Sequence, residues 1–197
     1  MRNHRLHRFQ KQITQIIVLS TLYSLLSTLS GCGYTTRSMV SSKFKTIYIT
    51  PFANKIDITK ETDTADKYKV YKPLLETDIT RTVINRFLWD GNLKPVQKEV
   101  ADLVLKGELI EFRRDPVRYT QDGNEVEEYR LNLVVNISLW NNKEEKLIWE
   151  QNGFTGDTTY FTTFSPITTS RKSEDVAIKD ALDDLGRRIV ERTVEEW

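Results

Sequence analysis

The spacing of hydrophobic residues changes several times along this 197-residue chain, and each change predicts an element. An apolar stretch from Ile13 to Leu29 comes first. Lys45-Thr-Ile-Tyr-Ile-Thr-Pro-Phe52 is rich in β-branched and aromatic residues and is closed by Pro51, which predicts a first strand. Ala53 to Lys72 is polar and charged with no clear period, which predicts a long loop. From Pro73 the pattern turns helical. Leu75, Ile79, Val83 and Phe87 recur at every fourth position, Ile84 and Leu88 widen the stripe, Pro73 suits a first turn and Gly91 a C-terminal cap. A short strand, Leu93 to Val96, follows.

The strongest β signal comes next. Leu103, Leu105, Gly107 and Leu109 alternate with other residues on one arm, and Leu131, Leu133, Val135, Ile137 and Leu139 on the other, around the turn signal Gln121-Asp-Gly-Asn124. Residues opposite one another in an antiparallel pair share a sheet face, so aligning the odd-numbered apolar positions requires residue numbers with an even sum. A two-residue Asp122-Gly123 turn gives an odd sum and sets Leu109 opposite Asn136. A three-residue loop, or one bulge near Pro116, restores Leu109 opposite Ile137, and one or the other is expected. Beyond Leu109 the same face reads Glu111, Arg113, Asp115 and Val117. From Phe112 to the turn the ribbon runs about 10 residues, or roughly 30 Å at about 3.3 Å per residue, and is expected to protrude from the core. Lys146 to Glu150 predicts another strand, and Phe154 to Phe164 is expected to continue the sheet or lie across it. Ser173-Glu-Asp, an N-cap with acids in the first turn, opens a helix to Trp197 with Ala177, Ala181, Leu185 and Ile189 on one face and Arg187, Arg188 and Arg192 toward its end. The fold class is α+β, helices layered on a sheet that carries a long protruding β-hairpin.

The N-terminal segment has a different meaning. Arg2, Arg5, Arg8 and Lys11 precede the apolar stretch, no acid accompanies them, and Leu29-Ser30-Gly31-Cys32 ends it, the order of a secretory signal with a small-residue cut site. Polar residues such as Gln15, Ser20 and Thr21 dilute the stretch below the roughly 20 mainly apolar residues of a bilayer span. The final tetrapeptide resembles the lipobox of bacterial lipoproteins, whose cysteine is linked to diacylglycerol, freed at its amino side and N-acylated, palmitate being one expected chain. Residues 1–31 are thus expected to be a signal peptide, 32–44 a lipidated tether and 45–197 a single domain. Three acyl chains on Cys32, at about 0.8 kcal/mol per buried methylene, anchor a protein stably where one chain does so marginally. Cys32 is the only cysteine, so the chain forms no internal disulfide.

Loss of the signal also removes His4 and His7 and leaves 25 Lys+Arg against 28 Asp+Glu, a net charge of −3. That balance argues against a polyanion-binding surface, and no nucleic-acid partner is expected. Without histidine or a free thiol, the mature domain lacks the residues of serine triads, Cys-His nucleophiles and nearly all zinc sites. Its acids sit singly on strands (Glu108, Glu111) or as helix-surface pairs (Asp183-Asp184, Glu195-Glu196), and no phosphate-binding glycine loop is present. The reading is a non-catalytic protein with no metal and no cofactor beyond the lipid on Cys32.

Taken together, Thr46-Ile-Tyr-Ile-Thr-Pro-Phe-Ala-Asn54, Ala101-Asp-Leu-Val-Leu-Lys-Gly-Glu108, Val126-Glu-Glu-Tyr-Arg130 with its following strand, Leu147-Ile-Trp-Glu150 and the Glu174 to Trp197 helix resemble, in order and spacing, the LptE family of outer-membrane lipoproteins. The resemblance implies two helices packed on a mixed sheet of about four to five strands. It further implies a plug seated in the LptD barrel of lipopolysaccharide (LPS) transport, assembly of that barrel, and help in delivering LPS to the outer leaflet, with the domain on the periplasmic side. LPS binding through basic residues toward the strand ends carries over to Arg113, Arg114 and Arg118, with Arg130 nearby. Those arginines also face Glu111, Asp115, Asp122, Glu125, Glu127 and Glu128, so cross-strand ion pairs are the alternative use of the same charge. Gly33 resembles the residue after the cysteine in lipoproteins sent on to the outer membrane. The Pro-Phe-Ala-Asn strand end also resembles secretion-channel subunits of the curli type and lipoprotein activators of cell-wall synthases. A pore subunit needs further amphipathic hairpins, which this chain does not offer.

Overall fold

Among residues 43–57, 71–162 and 172–195, which the computed structural model describes and which lie in one compact unit, the chain forms six strands and two α-helices. They are β1 (Thr46–Ile49), β2 (Ala53–Asn54), α1 (Leu75–Asp90), β3 (Lys94–Pro95), a 3-10 turn Lys98–Val100, β4 (Leu103–Tyr119), β5 (Val126–Asn141), β6 (Lys146–Phe161) and α2 (Glu174–Glu195). The expected signal peptide, Cys32, Gly33, the centre of the 53–72 loop and residues 163–171 lie outside the described residues. Strand order is β3-β1-β4-β5-β6, with β2 continuing along the edge of β4. β1 runs parallel to β3 and β4, while β4, β5 and β6 are antiparallel neighbours, so the sheet is mixed, as expected.

Pro51 ends β1, and the chain is held there by the Phe52 amide, which donates to Thr80 Oγ1 on α1 at 2.9 Å. The Phe52 ring lies over Gly107, where an added Cβ would come within 2.1–2.5 Å of it, so any larger residue at that position of β4 would displace the ring. On α1 the residues at every fourth position, Leu75, Ile79, Val83 and Phe87, are fully buried, and Gly91 (φ 76°) closes the helix with its amide on the Phe87 carbonyl. Two details differ from expectation. The helix starts at Leu75 behind a left-handed Leu74 (φ 61°), so Pro73 lies outside the first turn. Leu88 is 58% exposed rather than part of the buried stripe, because about 100° of helix rotation separates it from Phe87.

Ser173 caps α2 as expected, its Oγ accepting the Val176 amide and its carbonyl the Ala177 amide. Ala177, Ala181, Leu185 and Ile189 are fully buried against the sheet. Contact is closest at Gly156 of β6, where an added Cβ would stand 2.7 Å from the Leu185 Cα and amide nitrogen. α2 therefore rests directly on strand backbone. The two helices run in the same direction: Lys72, just before α1, pairs with Asp175 at the start of α2, Thr82 meets Gly186 midway, and Arg192 near the end of α2 bonds Gln151 close to the start of β6.

The β4–β5 register satisfies the parity argument by a different route. Leu109 pairs with Val135 rather than Ile137, and Gly107 and Leu105 pair with Ile137 and Leu139, all with even sums. Four residues, 121–124, form the loop inside the Thr120 N–H to Glu125 carbonyl bond, with Gly123 at φ 72°. Three shifts then intervene, with Val117 and Ile110 as the extra residues on β4 and Glu127 on β5. The bulge near Pro116 was expected, but the one at Ile110 was not, and it changes which side chains line the core. Phe112, Arg114 and Pro116 continue the helix-covered face, opposite Leu133, Leu131 and Tyr129. Glu111, Arg113 and Asp115, expected on that face, point to the other. Phe112 is accordingly buried, not the first residue of a free ribbon.

β6 is one strand that follows β5 throughout, from Asn141↔Lys146 to Glu128↔Phe161, so Phe154 to Phe161 continues the sheet. The extension beyond Leu109 thus has three strands rather than the two expected, while β2 stops at Asn54 opposite Leu109 and leaves the β4 edge beyond it without a paired strand among the described residues.

Candidate functional site: the arginine-bearing end of the sheet

The four arginines sit on the outer half of β4 and β5 and divide between two faces, since Arg113 and Arg114 are strand neighbours, and the Ile110 bulge sets Arg114 on the helix side. Arg114 lies on the helix side. Its Nη1 donates to Glu174 Oε2 at 2.9 Å and its guanidinium stacks 5.1 Å from the centre of the Tyr129 ring. Tyr129 in turn stacks on Tyr160 at 5.9 Å and 25°. Burial works against the Arg114 charge, but the Glu174 carboxylate and the Tyr160 hydroxyl outweigh it and raise the guanidinium pKa. Burial also raises the Tyr160 pKa, with Glu174 adding to it and Arg114 opposing. This cluster fastens the first turn of α2 to the sheet extension.

Arg113, Arg118 and Arg130 occupy the opposite, open face. Arg113 pairs with Asp115 at 2.9 Å and lies 3.8 Å from Glu111, while Asp115 also accepts the Asn132 side-chain amide at 2.8 Å. Arg118 approaches Glu128 at 3.7 Å, beyond hydrogen-bond length, and its guanidinium lies 5.7 Å from the Phe161 ring centre. Arg130, opposite Asp115 on β5, is exposed and makes no ion pair among the described residues. From the register, Arg130 is diagonal to both Arg113 and Arg118, a spacing of roughly 7–8 Å between neighbouring positions. The three therefore form a zigzag interleaved with Glu111, Asp115 and Glu128.

Toward the other end of the same open face, the Lys106 ammonium stands 4.2 Å from the Trp140 ring centre, and Trp140 Nε1 donates to Ser138 Oγ at 3.0 Å. No described helix is long and apolar enough to cross a membrane, and no described group of three or more Cys, His, Asp or Glu is arranged to hold a metal ion. The arginine pairs and the stacked tyrosines can bind, orient and exclude water, and carry no general acid–base or nucleophilic arrangement.

Sequence reasoning missed Tyr129, Tyr160 and Glu174 as partners of Arg114. No local sequence signal marks them, because it is the Ile110 bulge that moves β4 by one residue beyond Leu109 and brings even-numbered Arg114 onto the face of the odd-numbered β5 residues.

The family model LptE, described as lipopolysaccharide-assembly, matches residues 44–193, which is nearly the whole of the described domain. The chain belongs to the LptE family. No curated protein sequence matches it. Among solved structures, protein XCC0632 from Xanthomonas campestris is 11% identical with a TM-score of 0.50, over 77% of this chain and 84% of that one. The PelC dodecamer from Paraburkholderia phytofirmans is 12% identical with a TM-score of 0.43, over 78% and 90%. Rare lipoprotein B from Shewanella oneidensis is 17% identical with a TM-score of 0.39, over 74% and 93%. The first shares the fold with this LptE-family chain, and none of the three speaks to function at such identities.

Proposed function

We propose that this LptE-family chain is a non-catalytic outer-membrane lipoprotein, anchored through Cys32 with its domain on the periplasmic side, that plugs an LptD-type LPS-transport barrel and assists LPS delivery to the outer leaflet. The observation that carries the reading is the family match across residues 44–193, which covers the fold from the start of β1 almost to the end of α2. Two features of the fold support it. Among the described residues the helices cover one sheet face and leave the other open along β4, β5 and β6, and the sheet extends past β2 as a three-stranded projection suited to entering a lumen. Arg113, Arg118 and Arg130 on that open face offer guanidinium donors to the phosphates of LPS, with Arg114 holding the projection to α2.

The test is affinity capture of tagged, Cys32-bearing protein from membranes. A large outer-membrane β-barrel protein is expected in the captured fraction. Recovery of a periplasmic cell-wall synthase without a barrel would overturn the reading and make the protein an enzyme activator.

A further inference from the structure

The end of the sheet farthest from the arginines is built around the start of β1. The Asp102 carboxylate accepts the amides of Lys45 and Thr46 at 3.1 and 3.3 Å, the Thr46 hydroxyl at 3.0 Å and the Lys143 ammonium at 2.8 Å, the Asn142 side-chain amide donates to the Lys98 carbonyl at 2.8 Å, and the Lys94 amide donates to the Lys45 carbonyl at 2.9 Å. These bonds gather the 3-10 turn, the β5–β6 turn and the strand that follows α1 around Lys43 to Lys45, where the chain from Cys32 joins the fold. The surface here is unusual. Trp89 in the last turn of α1 is 87% exposed, Val100 is 68% exposed and Leu88 58%. Exposed lysines (Lys43, Lys45, Lys94, Lys98, Lys143) lie among exposed acids (Asp90, Glu99, Glu144, Glu145), so the local net charge is small. An exposed tryptophan and aliphatic side chains bordered by long-stemmed lysines match the water–lipid boundary, where indole rings settle and lysine stems run along apolar surface to reach water.

We propose that, before the projection enters a barrel, this end of the domain rests on the lipid leaflet that holds the Cys32 acyl chains, with Trp89 at headgroup depth and Leu88 and Val100 beside it. The inference rests on the lipid anchor of the preceding section. Chain length favours a leaflet as the occupant. Eleven peptide steps separate Cys32 from Lys43, at most about 40 Å of extended chain. β4 alone has 17 residues and is roughly 56 Å long. The tether therefore keeps the β1 end within reach of the leaflet and is too short for the domain to stand upright on its hairpin tip.

The experiment uses full-length, processed protein reconstituted without a barrel into vesicles of phosphatidylethanolamine and phosphatidylglycerol with brominated acyl chains. Bromine quenching of tryptophan emission is compared for the wild type and Trp89→Phe, so that the difference reads Trp89 whatever the other tryptophans contribute. Loss of at least half of the quenching in Trp89→Phe is expected. Equal quenching in the two proteins, both still floating with the vesicles, overturns this inference and leaves the anchor standing, as does Trp89 shielding that arises only after a barrel is added. Protein that leaves the vesicles and shows no acyl mass on its Cys32 peptide overturns the anchor, and the inference with it.

Discussion

The two halves of the β4–β5 pair share one hairpin but are stabilised in different ways. From Leu103 to Leu109 the register holds without a break, and one face is a wall of fully buried aliphatic side chains under two helices. From Glu111 to Tyr119 the register is interrupted near Pro116 and Arg118, Phe112 opposite Leu133 ends the buried run on β4, and the charged side chains on both faces find carboxylates and aromatic rings as partners. Buried aliphatic surface fixes a register because a one-residue slip exposes the whole face, whereas exposed ion pairs contribute about 0–1 kcal/mol each and tolerate bulges. The lesson is that the inner half, with Phe112, Leu131 and Leu133 continuing its buried face, sets the fold, and the open face of the outer half is free to vary its side chains for binding.

The largest effect is expected where α2 rests on strand backbone. Gly156→Val should destabilise the domain by about 3 kcal/mol, since the new side chain meets the Leu185 backbone and neither helix nor strand can yield by a rotamer change. Thr159→Val, beyond it on the open face, should stay within about 0.5 kcal/mol. Urea titration followed by circular dichroism measures both, and equal losses would erase the contrast between the helix-covered and open faces of the outer half. Next comes Leu105→Ala at the centre of the wall, expected to cost about 3 kcal/mol through lost burial and a cavity between β4 and the helices.

How far the sequence reaches follows the same division. The helix positions, the apolar faces of both arms and the Ser173 cap were legible because period and capping chemistry are local. The even parity of the β4–β5 sums was legible too, since it follows from which residues must share a face. The split into a four-residue loop and three register shifts was not, because different combinations give the same parity and the choice lies in how the strands bend around α2. That choice decided the arginines. One extra residue at Ile110 took Arg114 to the helix side and left Arg113 on the open one, and nothing in the local pattern of Leu109-Ile-Glu-Phe-Arg113 marks it.

Asp102 sharpens the comparison at the β1 end. The Lys143 hydrogen bond, then the Lys45 amide, with further help from Thr46 and against some burial, lower its pKa from 3.8 to about 2. A carboxylate with a depressed folded pKa adds stability above its unfolded pKa and loses it as pH falls through the folded value. The contribution should therefore be complete above about pH 4 and disappear toward pH 2, and Asp102→Asn should cost about 1 kcal/mol at neutral pH, since solvent around the exposed Lys143 screens part of the interaction. Denaturation midpoints measured from pH 7 to pH 2 check it. The variant should converge on the wild type at the acid end, and a constant gap across the range would mean that Asp102 acts through packing alone. At the opposite end, Arg114→Met should cost about 1 kcal/mol, because both partners of the Glu174 pair are partly exposed and the Tyr129 stack is shared with solvent. A double-mutant cycle with Glu174→Gln isolates that coupling.

The smallest effect on stability, and the most informative about function, is expected for the open-face set. Arg113→Gln, Arg118→Gln and Arg130→Gln together should change stability by less than about 1 kcal/mol, because Arg118 meets Glu128 only at 3.7 Å, Arg130 has no described ion-pair partner, and the Arg113 pair with Asp115 is a partly exposed one. If these guanidiniums receive LPS phosphates, the triple variant should bind immobilised LPS at least tenfold more weakly while capturing the barrel partner as the wild type does, and added salt should narrow the difference. Arg114→Met is the built-in control: it removes the same charge from the helix-covered face and should leave LPS capture within about twofold, provided α2 stays docked. Equal loss in both variants would mean that net charge, not the open face, governs LPS capture. No loss in either would return all four arginines to the role of holding the extension together, so that the face assignment set at Ile110 is a packing solution and the binding surface lies elsewhere on the fold.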